Sequence, residues 1–330
     1  MKKFARFLLI GVVVLAIAFF LGPREPVDET LDTDFAAIAA LRGAAVEDHL
    51  AKSEADIENL VDGAGKHVVW ADPQTKQRTP LSVVYIHGFS ATLEEVRPTP
   101  DIIAEQLGAN LHYTRLTGHG RDGAAMAQAT VNDWFNDVAE ALAIGRAIGD
   151  ETIIVATSTG GTLAAWALEQ AALAQGVKGV VMVSPNFGVK AAAARILSLP
   201  WARQLIPSLV GETRSFEPSN EDHGKWWTTE YPTIALLPMQ ASVDRAANAD
   251  FAAMKTPALF IFHPDDQVVD ASITQSVADN WGTNGSGTAT VHTVDEAEDR
   301  YNHVIAGRIL SPSNSKPLAD KAVEWIRSLK

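Results

Sequence analysis

The sequence contains no cysteine, and this absence excludes several kinds of chemistry. A chain of 330 residues without thiols cannot form disulfides, thiolate zinc sites or iron–sulfur clusters, and it has no cysteine nucleophile. Basic residues are also few, since 27 Lys and Arg stand against 40 Asp and Glu, for a formal net charge of −13. Such a surface repels polyanions, so nucleic acid is not an expected partner.

Apolar residues make up 47% of the chain and charged residues 20%, which is typical of a folded globular protein. The length corresponds to about two domains, or to one α/β domain that carries an insertion.

The longest apolar run lies at the N terminus. Residues 7–22 carry no charge and follow Lys2, Lys3 and Arg6. A basic start followed by an apolar run is typical of a secretory signal or of an uncleaved anchor, with the remainder of the chain outside the cytoplasm. The run spans roughly 24 Å as a helix, against about 30 Å for a hydrocarbon core. We predict that residues 1–22 are a signal peptide or an N-terminal membrane anchor, and that the remainder of the chain is periplasmic or otherwise extracytoplasmic.

Short runs rich in Val, Ile, Leu and Phe alternate with helical patterns after residue 65. Continuous apolar runs of this length are typical of parallel strands buried on both faces. Strand–helix alternation therefore predicts a mostly parallel, doubly wound α/β domain. The predicted strands are 67–71, 81–87, 111–116, 152–156, 177–183, 258–262 and 288–294, and the predicted helices are 100–107, 131–148, 161–174, 272–280 and 316–329.

One interval breaks the alternation. Between Pro185 and Pro257 there is no strand pattern, but there are tryptophans and leucines among short helical patterns. We interpret it as an inserted helical cap. The predicted division is a tether and helical preface over 23–65, an α/β core over 66–185 and 251–330, and a helical cap over 186–250.

The segment 156–160 joins a predicted strand to a predicted helix and has Ser158 at its centre. This is the context of a nucleophile elbow, a sharp turn that holds a serine hydroxyl clear of the sheet edge. The turn forces the residues two before and two after the serine together, which favours the small Ala156 and Gly160. Alone, the pattern is weak, because serine and glycine also occur together at ordinary helix starts.

A serine hydroxyl needs a base, and in this architecture an acid and then a histidine follow it along the chain. His303 lies in a loop beyond the last predicted strand, whereas His292 falls within that strand, so His303 is the predicted base. Asp266 follows strand 258–262 and is predicted to orient the imidazole, with Asp265 as the reserve candidate.

The oxyanion that forms on an attacked carbonyl needs backbone N–H donors. We predict Thr159, directly after the serine, as one donor. Phe89 is the predicted second donor, because it follows a glycine at the end of a buried strand. His87 is predicted to be structural, packed or hydrogen-bonded under this loop.

Three large apolar side chains of the predicted cap are candidates for substrate contact. Trp226, Trp227 and Met239 either bind an apolar acyl or alcohol group or pack the helices of the cap itself.

Taken together, several segments resemble the successive signatures of the α/β-hydrolase superfamily and, within it, of the capped esterase and monoacylglycerol-lipase-like branch. The resemblance covers roughly residues 66–330, with Ala156 where the usual elbow pattern has glycine. It implies an α/β-hydrolase fold with a cap, and a serine hydrolase that cleaves short or medium acyl esters or monoglyceride-like lipids through an acyl-enzyme. It implies no cofactor and no metal. The segments are His87-Gly88-Phe89, Arg115 to Gly120, the turn at Ser158, Asp266-Gln267-Val268-Val269, and His303-Val304.

Other functions stay open on the same residues. The superfamily also contains peptidases, amidases and thioesterases, and a descendant without catalysis could act as a membrane-tethered binding protein. The expected partners are a small ester or lipid substrate and, through residues 1–22, a membrane.

Overall fold

The structure is a computed structural model that describes residues 2–330, in which nine strands form two sheets. The central sheet has seven strands, and only its first strand runs antiparallel to its neighbour. All seven predicted strands are members of this sheet, and the predicted α/β class is confirmed. The strands are β1 (His67–Val69), β2 (Thr79–Ile86), β3 (Asn110–Tyr113), β4 (Gly149–Thr157), β5 (Val177–Val183), β6 (Thr213–Ser215), β7 (Glu230–Pro232), β8 (Ala258–Phe262) and β9 (Ala289–Thr293).

The order of the central strands is β1-β3-β2-β4-β5-β8-β9, with helices on both faces of the sheet. This order places the carboxyl ends of β4, β5 and β8 side by side, and the loops that follow parallel strands form the usual ligand crevice of such sheets. The helices are α1 (Lys2–Phe20), α2 (Phe35–Ala39), α3 (Ala44–Glu54), α4 (Thr99–Leu107), α5 (Gly123–Gln128), α6 (Val131–Ile148), α7 (Thr159–Glu169), α8 (Ala171–Ala174), α9 (Ala202–Val210), α10 (Glu221–Trp226), α11 (Leu236–Ala246), α12 (Ala271–Asn280) and α13 (Ser315–Ser328).

The alternation of side chains along each strand divides the core between the two faces of the sheet. On β2, Val84 and Ile86 join the apolar cluster that contains α6 and α7, while Val83 and Tyr85 join the cluster that contains α4 and α13. All four side chains are fully buried. Burial on both faces explains why this strand is a continuous apolar run in the sequence.

The interval predicted to be purely helical contains two short strands. β6 and β7 pair antiparallel between α9 and α11, so the expectation that residues 186–250 hold no strand is wrong. Each strand has three residues, and all three of β6 are exposed. An exposed three-residue strand needs no apolar run, which is why the sequence carries no signal for it. The cap boundaries stay a prediction.

The N-terminal helix α1 leaves most of its apolar side chains exposed. Its C-terminal end lies against the start of α9, where the Trp201 indole N–H donates to the Phe19 carbonyl at 3.2 Å. Among residues 2–330, no helix is both long and apolar enough to be a candidate for crossing a membrane. The predicted membrane anchor is therefore not supported.

The segment predicted as a tether has no regular secondary structure, and it is hydrogen-bonded to the core and the cap. The Glu29 carboxylate accepts from the Trp166 indole N–H of α7 at 2.9 Å and pairs with Arg245 of α11. The Thr30 carbonyl accepts from the Asn132 amide of α6 at 2.6 Å. These contacts fix the segment across three helices. The predicted helical preface contains α2 and α3.

Candidate active site

Ser158 occupies a strained turn between β4 and α7. Its backbone has φ +50° and ψ −120°, a region that non-glycine residues rarely adopt. A Cβ at Gly160 would lie 2.3 Å from the Ile86 carbonyl oxygen and 2.7 Å from that of His87, so only glycine fits against β2 there. Ala156, fully buried at the other side of the turn, has room for its methyl group. The turn therefore requires small residues at positions 156 and 160, as the sequence predicted.

The structure brings Ser158, His303 and Asp266 into one hydrogen-bonded chain. His303 Nε2 lies 3.0 Å from Ser158 Oγ, and His303 Nδ1 lies 2.8 Å from Asp266 Oδ2. A carboxylate is only an acceptor, so Nδ1 carries the ring proton and Nε2 presents its lone pair to the serine hydroxyl. This tautomer is the one that accepts a proton from serine. All three side chains are buried, so bulk water does not compete for these bonds.

Two backbone N–H groups hold Asp266 in place. Its Oδ1 accepts from Val268 at 2.7 Å and from Val269 at 2.9 Å, which leaves Oδ2 for the imidazole. The reserve candidate Asp265 is exposed, and its backbone N–H donates to His263. The structure thus places Asp266, and not Asp265, against His303.

The environment of His303 favours its charged form. Burial alone would lower its pKa, but the charge and hydrogen bond of Asp266, with smaller contributions from Glu95 and Asp299, raise the pKa of His303 above the ordinary 6.5. Asp299 also shapes the loop, because one of its oxygens accepts from the His303 and Val304 backbone N–H groups, both at 3.0 Å. Asp299 was not among the predicted site residues. An aspartate four residues before a loop histidine was the available signal.

His292 lies apart from this chain of bonds. It sits half-buried on β9, the edge strand of the central sheet, as its strand pattern predicted. Burial and the charge of Lys321 lower the pKa of His292. Its position excludes it as a partner of Ser158.

The loop that follows β2 is held by His87. The imidazole Nε2 accepts from the Leu116 N–H at 3.0 Å, so Nδ1 carries the proton and donates to the Gly88 carbonyl at 2.8 Å. Burial keeps the pKa of His87 well below its usual value, so the ring is neutral. Fixing the Gly88 carbonyl also fixes the plane of the Gly88–Phe89 peptide, whose N–H is the predicted donor.

The backbone N–H groups of Phe89 and Thr159 make no hydrogen bond with any other described residue. Both belong to turns that flank Ser158, because a Cβ at Gly88 would lie 3.0 Å from Ser158 Cβ. Unpaired donors beside a serine hydroxyl are the arrangement that stabilises an oxyanion. The Phe89 ring contacts Tyr231 edge to face, with centroids 5.4 Å apart.

A second acidic side chain, absent from the sequence-based predictions, lies under the same loop. Glu95 is 2% exposed, and its Oε2 accepts from the Gly88 N–H at 2.7 Å and from the Tyr85 hydroxyl at 3.1 Å. Burial raises the pKa of Glu95 to about 7. Glu95 reaches this place because the loop after β2 folds back on itself, and no pattern of apolar residues in the sequence predicts such a loop.

The three predicted cap contacts are buried in different places. Trp226 packs over Gly63, and Trp227 packs edge to face on His223 at 4.7 Å. Met239 is closer to the elbow, because its sulfur lies 3.4 Å from the amide of Asn186. The role of these three side chains in substrate binding stays a prediction.

The described residues contain no group of three or more His, Asp or Glu side chains that could hold a metal ion. The site offers a hydroxyl, an imidazole, a carboxylate and free N–H donors. These are the elements of nucleophilic catalysis at a carbonyl.

A parallel sheet with a serine elbow after its fourth strand, an acid after a later strand and then a histidine is the arrangement of an α/β-hydrolase. The chain belongs to the family described as serine aminopeptidase, S33, whose profile matches residues 77–297.

Relatives of known activity or structure support this assignment. The chain is 25% identical to a thermostable monoacylglycerol lipase of Bacillus sp. (strain H-257) over 199 residues, which are 60% of this chain and 76% of the relative. A structure from a study of LipS and LipT, two metagenome-derived lipolytic enzymes, matches with TM-score 0.63 and 19% identity over 81% of this chain and 99% of the other. A soluble variant of monoglyceride lipase from Saccharomyces cerevisiae matches with TM-score 0.57 and 13% identity, over 80% and 92%.

The comparisons confirm the predicted fold and the predicted resemblance to the esterase and monoacylglycerol-lipase-like branch. They also confirm the predicted enzyme class, a hydrolase of carboxylic esters.

Proposed function

We propose that this enzyme cleaves carboxylic esters through an acyl-enzyme formed on Ser158. The hydrogen-bonded chain from Ser158 Oγ through His303 to Asp266 is the observation that carries the proposal. As Oγ attacks the ester carbonyl, His303 Nε2 takes the hydroxyl proton and the carbonyl oxygen becomes an oxyanion. The N–H groups of Phe89 and Thr159 stabilise that charge.

Breakdown of this intermediate completes acylation, and the same groups then carry out deacylation. His303 returns its proton to the alcohol oxygen as the ester C–O bond breaks, which leaves the acyl group on Ser158. A water then attacks the acyl carbon, gives its proton to His303, and the serine leaves with that proton. The Asp266 carboxylate stabilises the imidazolium in both halves without itself becoming protonated.

We propose short or medium acyl esters, or monoglyceride-like lipids, as the substrate class. The named activity of the Bacillus relative supports a monoacylglycerol. Apolar surface beside the elbow supports an acyl chain, since the Phe89 ring is partly exposed and Met239 reaches Asn186, whose backbone N–H bonds the Ser158 carbonyl. Apolar side chains beside the serine suit an aliphatic chain.

A substrate panel tests the proposal. The full chain and its Ser158→Ala variant are assayed on p-nitrophenyl esters of increasing chain length, a 1-monoacylglycerol, an acyl thioester and aminoacyl p-nitroanilides. We expect kcat/KM on the best ester to exceed that on every amide by at least about 100-fold, and the variant to lose at least about 10³-fold.

The alternative function is that of a peptidase, because the matching family is described as a serine aminopeptidase. The anilide substrates of the panel test this alternative. Faster cleavage of an anilide than of any ester would establish the peptidase function instead, and a thioester preference would establish a thioesterase. No turnover of any class would favour a binding protein without catalysis.

We also propose export, on the pattern of residues 1–22 alone. Cell fractionation of the native chain would show the activity outside the cytoplasm, and recovery of all activity in the cytoplasmic fraction would contradict it.

A further inference from the structure

Glu95 is a buried carboxyl beside the elbow, and the proposed reaction leaves it without a role. Among the described residues, no Lys or Arg forms an ion pair with Glu95, and Arg97 and Arg308 pair with Glu94. Its partners are instead the Gly88 N–H and the Tyr85 hydroxyl. Burying a carboxyl with two hydrogen bonds and no Lys or Arg partner destabilises the fold, so an apolar side chain would suit a purely structural site better.

The contacts of Glu95 converge on the reacting groups. An added Cβ at Gly88 would meet both Glu95 Oε1, at 2.6 Å, and Ser158 Cβ, at 3.0 Å, so the carboxyl lies directly behind the loop that faces the serine. An added Cβ at Gly307, in the loop that carries His303, would lie 2.5 Å from the Glu95 backbone carbonyl oxygen. One residue therefore touches both the oxyanion loop and the histidine loop.

We propose that Glu95 is a positioning residue of the active site: its carboxyl fixes the Gly88 N–H, and through it the Phe89 donor, and its negative charge stabilises the imidazolium of His303. The inference rests on the proposed function, because it assigns a role within that reaction.

Both backbone polar groups of Gly88, its N–H and its carbonyl, are held by side chains. Glu95 Oε2 binds the Gly88 N–H at 2.7 Å, and the His87 ring binds the Gly88 carbonyl at 2.8 Å. With both peptide planes held, the Phe89 N–H points in one direction before substrate arrives. Donors that are oriented in advance stabilise an oxyanion without reorganisation.

The hydrogen-bond partners of Glu95 can accommodate both its charged and its neutral form. The Tyr85 hydroxyl lies 3.1 Å from Glu95 and 3.3 Å from Thr157 Oγ1, so it donates to an ionised Glu95 or, when Glu95 is protonated, to Thr157. The pKa of Tyr85 is raised well above 10 by burial and by Glu95, so Tyr85 stays protonated. The titratable groups that face Glu95 are Tyr85 from β2 and His303 from the histidine loop, and burial brings the Glu95 pKa to about 7.

Two substitutions separate position from charge. Glu95→Gln keeps an oxygen for the Gly88 N–H but cannot ionise, whereas Glu95→Leu removes both the acceptor and the charge. Glu94→Gln is the matched control, since Glu94 is the adjacent buried glutamate and its partners are Arg97 and Arg308.

The readout is the pH profile of kcat and of kcat/KM on the best ester of the panel. Glu95→Leu should lower kcat at least about tenfold at every pH with little change in KM, a fraction of the loss from removing an oxyanion donor outright. Below pH 7, Glu95→Gln should keep most of the wild-type kcat that Glu95→Leu loses. Its acidic limb should move to lower pH by roughly 0.5 unit or more, because losing the negative charge lowers the pKa of His303. Glu94→Gln should keep the wild-type profile.

Three results would overturn the inference. The first is a pH profile of Glu95→Gln that superimposes on that of the wild type. This result would refute the inference even if Glu95→Leu does not fold. The second is a Glu95→Leu variant with kcat within about twofold of wild type. The third is an equal loss in both variants at all pH values, in parallel with lost unfolding free energy, which would make Glu95 structural. A wild-type enzyme that turns over no substrate would instead defeat the proposed function, so the two failures are distinguishable.

Discussion

His303 Nδ1 lies 2.8 Å from Asp266 Oδ2, although 37 residues separate the two along the chain. The parallel sheet brings them together, because Asp266 follows β8 and His303 follows its neighbour β9, and parallel strands have their carboxyl ends at the same edge. Asp266 has no exposed surface, and its other oxygen is fully used by two backbone donors. Oδ2 is therefore left to accept from His303, and the two bonds to Oδ1 fix its orientation.

Asp266→Asn should lower kcat by about 10⁴-fold with a small change in KM, because an amide in this place favours the wrong tautomer of His303. Asp265→Asn is the matched control, since Asp265 is exposed and should retain wild-type kcat. Steady-state kinetics on an ester checks both. A larger loss in the Asp265 variant would reassign the acid.

His303→Asn should abolish turnover to the level of Ser158→Ala, because no other group accepts the serine proton. His292→Asn should stay within about twofold of wild type, since His292 lies on the edge strand away from Ser158. The two variants measured side by side decide between the two late histidines. Comparable losses in both would contradict the assignment.

Gly160→Ala should destabilise the fold by about 2–4 kcal/mol, because the new methyl group would overlap two backbone carbonyl oxygens of β2 and its loop. Gly224→Ala is the control, since a Cβ there meets only Pro218 at 3.4 Å, an ordinary contact. Urea unfolding measures both. An unchanged midpoint for the Gly160 variant would show that the turn is looser than its geometry indicates.

The stability of Glu95→Gln relative to wild type should depend on pH. The folded-state pKa of Glu95, about 7, exceeds its ordinary value of 4.5, so the neutral form is favoured by folding. The wild type consequently loses up to about 3 kcal/mol as pH rises from 4.5 through 7, and the variant does not. Urea unfolding at pH 5 and pH 8 should show the variant gaining on the wild type at the higher pH. A difference independent of pH would mean that Glu95 keeps an ordinary pKa.

Features that depend on apolar periodicity were accessible from the sequence. The central strands β2, β4, β5 and β8 and the long helices bury continuous or regularly spaced apolar residues, and α6 matches its predicted bounds at both ends. The turn at Ser158 was accessible for another reason, because sterics demand small residues at Ala156 and Gly160 whatever the rest of the chain does.

Features that depend on long-range polar contacts were not accessible. Glu95 and Asp299 accept hydrogen bonds from backbone groups that only the folded loops bring near. The exposed strand β6 buries nothing and left no pattern. The predicted anchor over residues 1–22 was drawn from charge and hydropathy, and the helix there does not qualify as a membrane span.

The claim that Ser158 is the nucleophile is tested most directly by covalent labelling. The full chain is incubated with a fluorophosphonate, which reacts with activated serines, and the adduct is mapped by intact-protein and peptide mass spectrometry. We predict one adduct per chain, located on Ser158 and absent from Ser158→Ala. A wild-type chain that stays unlabelled, or that carries the adduct on a different serine, would contradict the assignment.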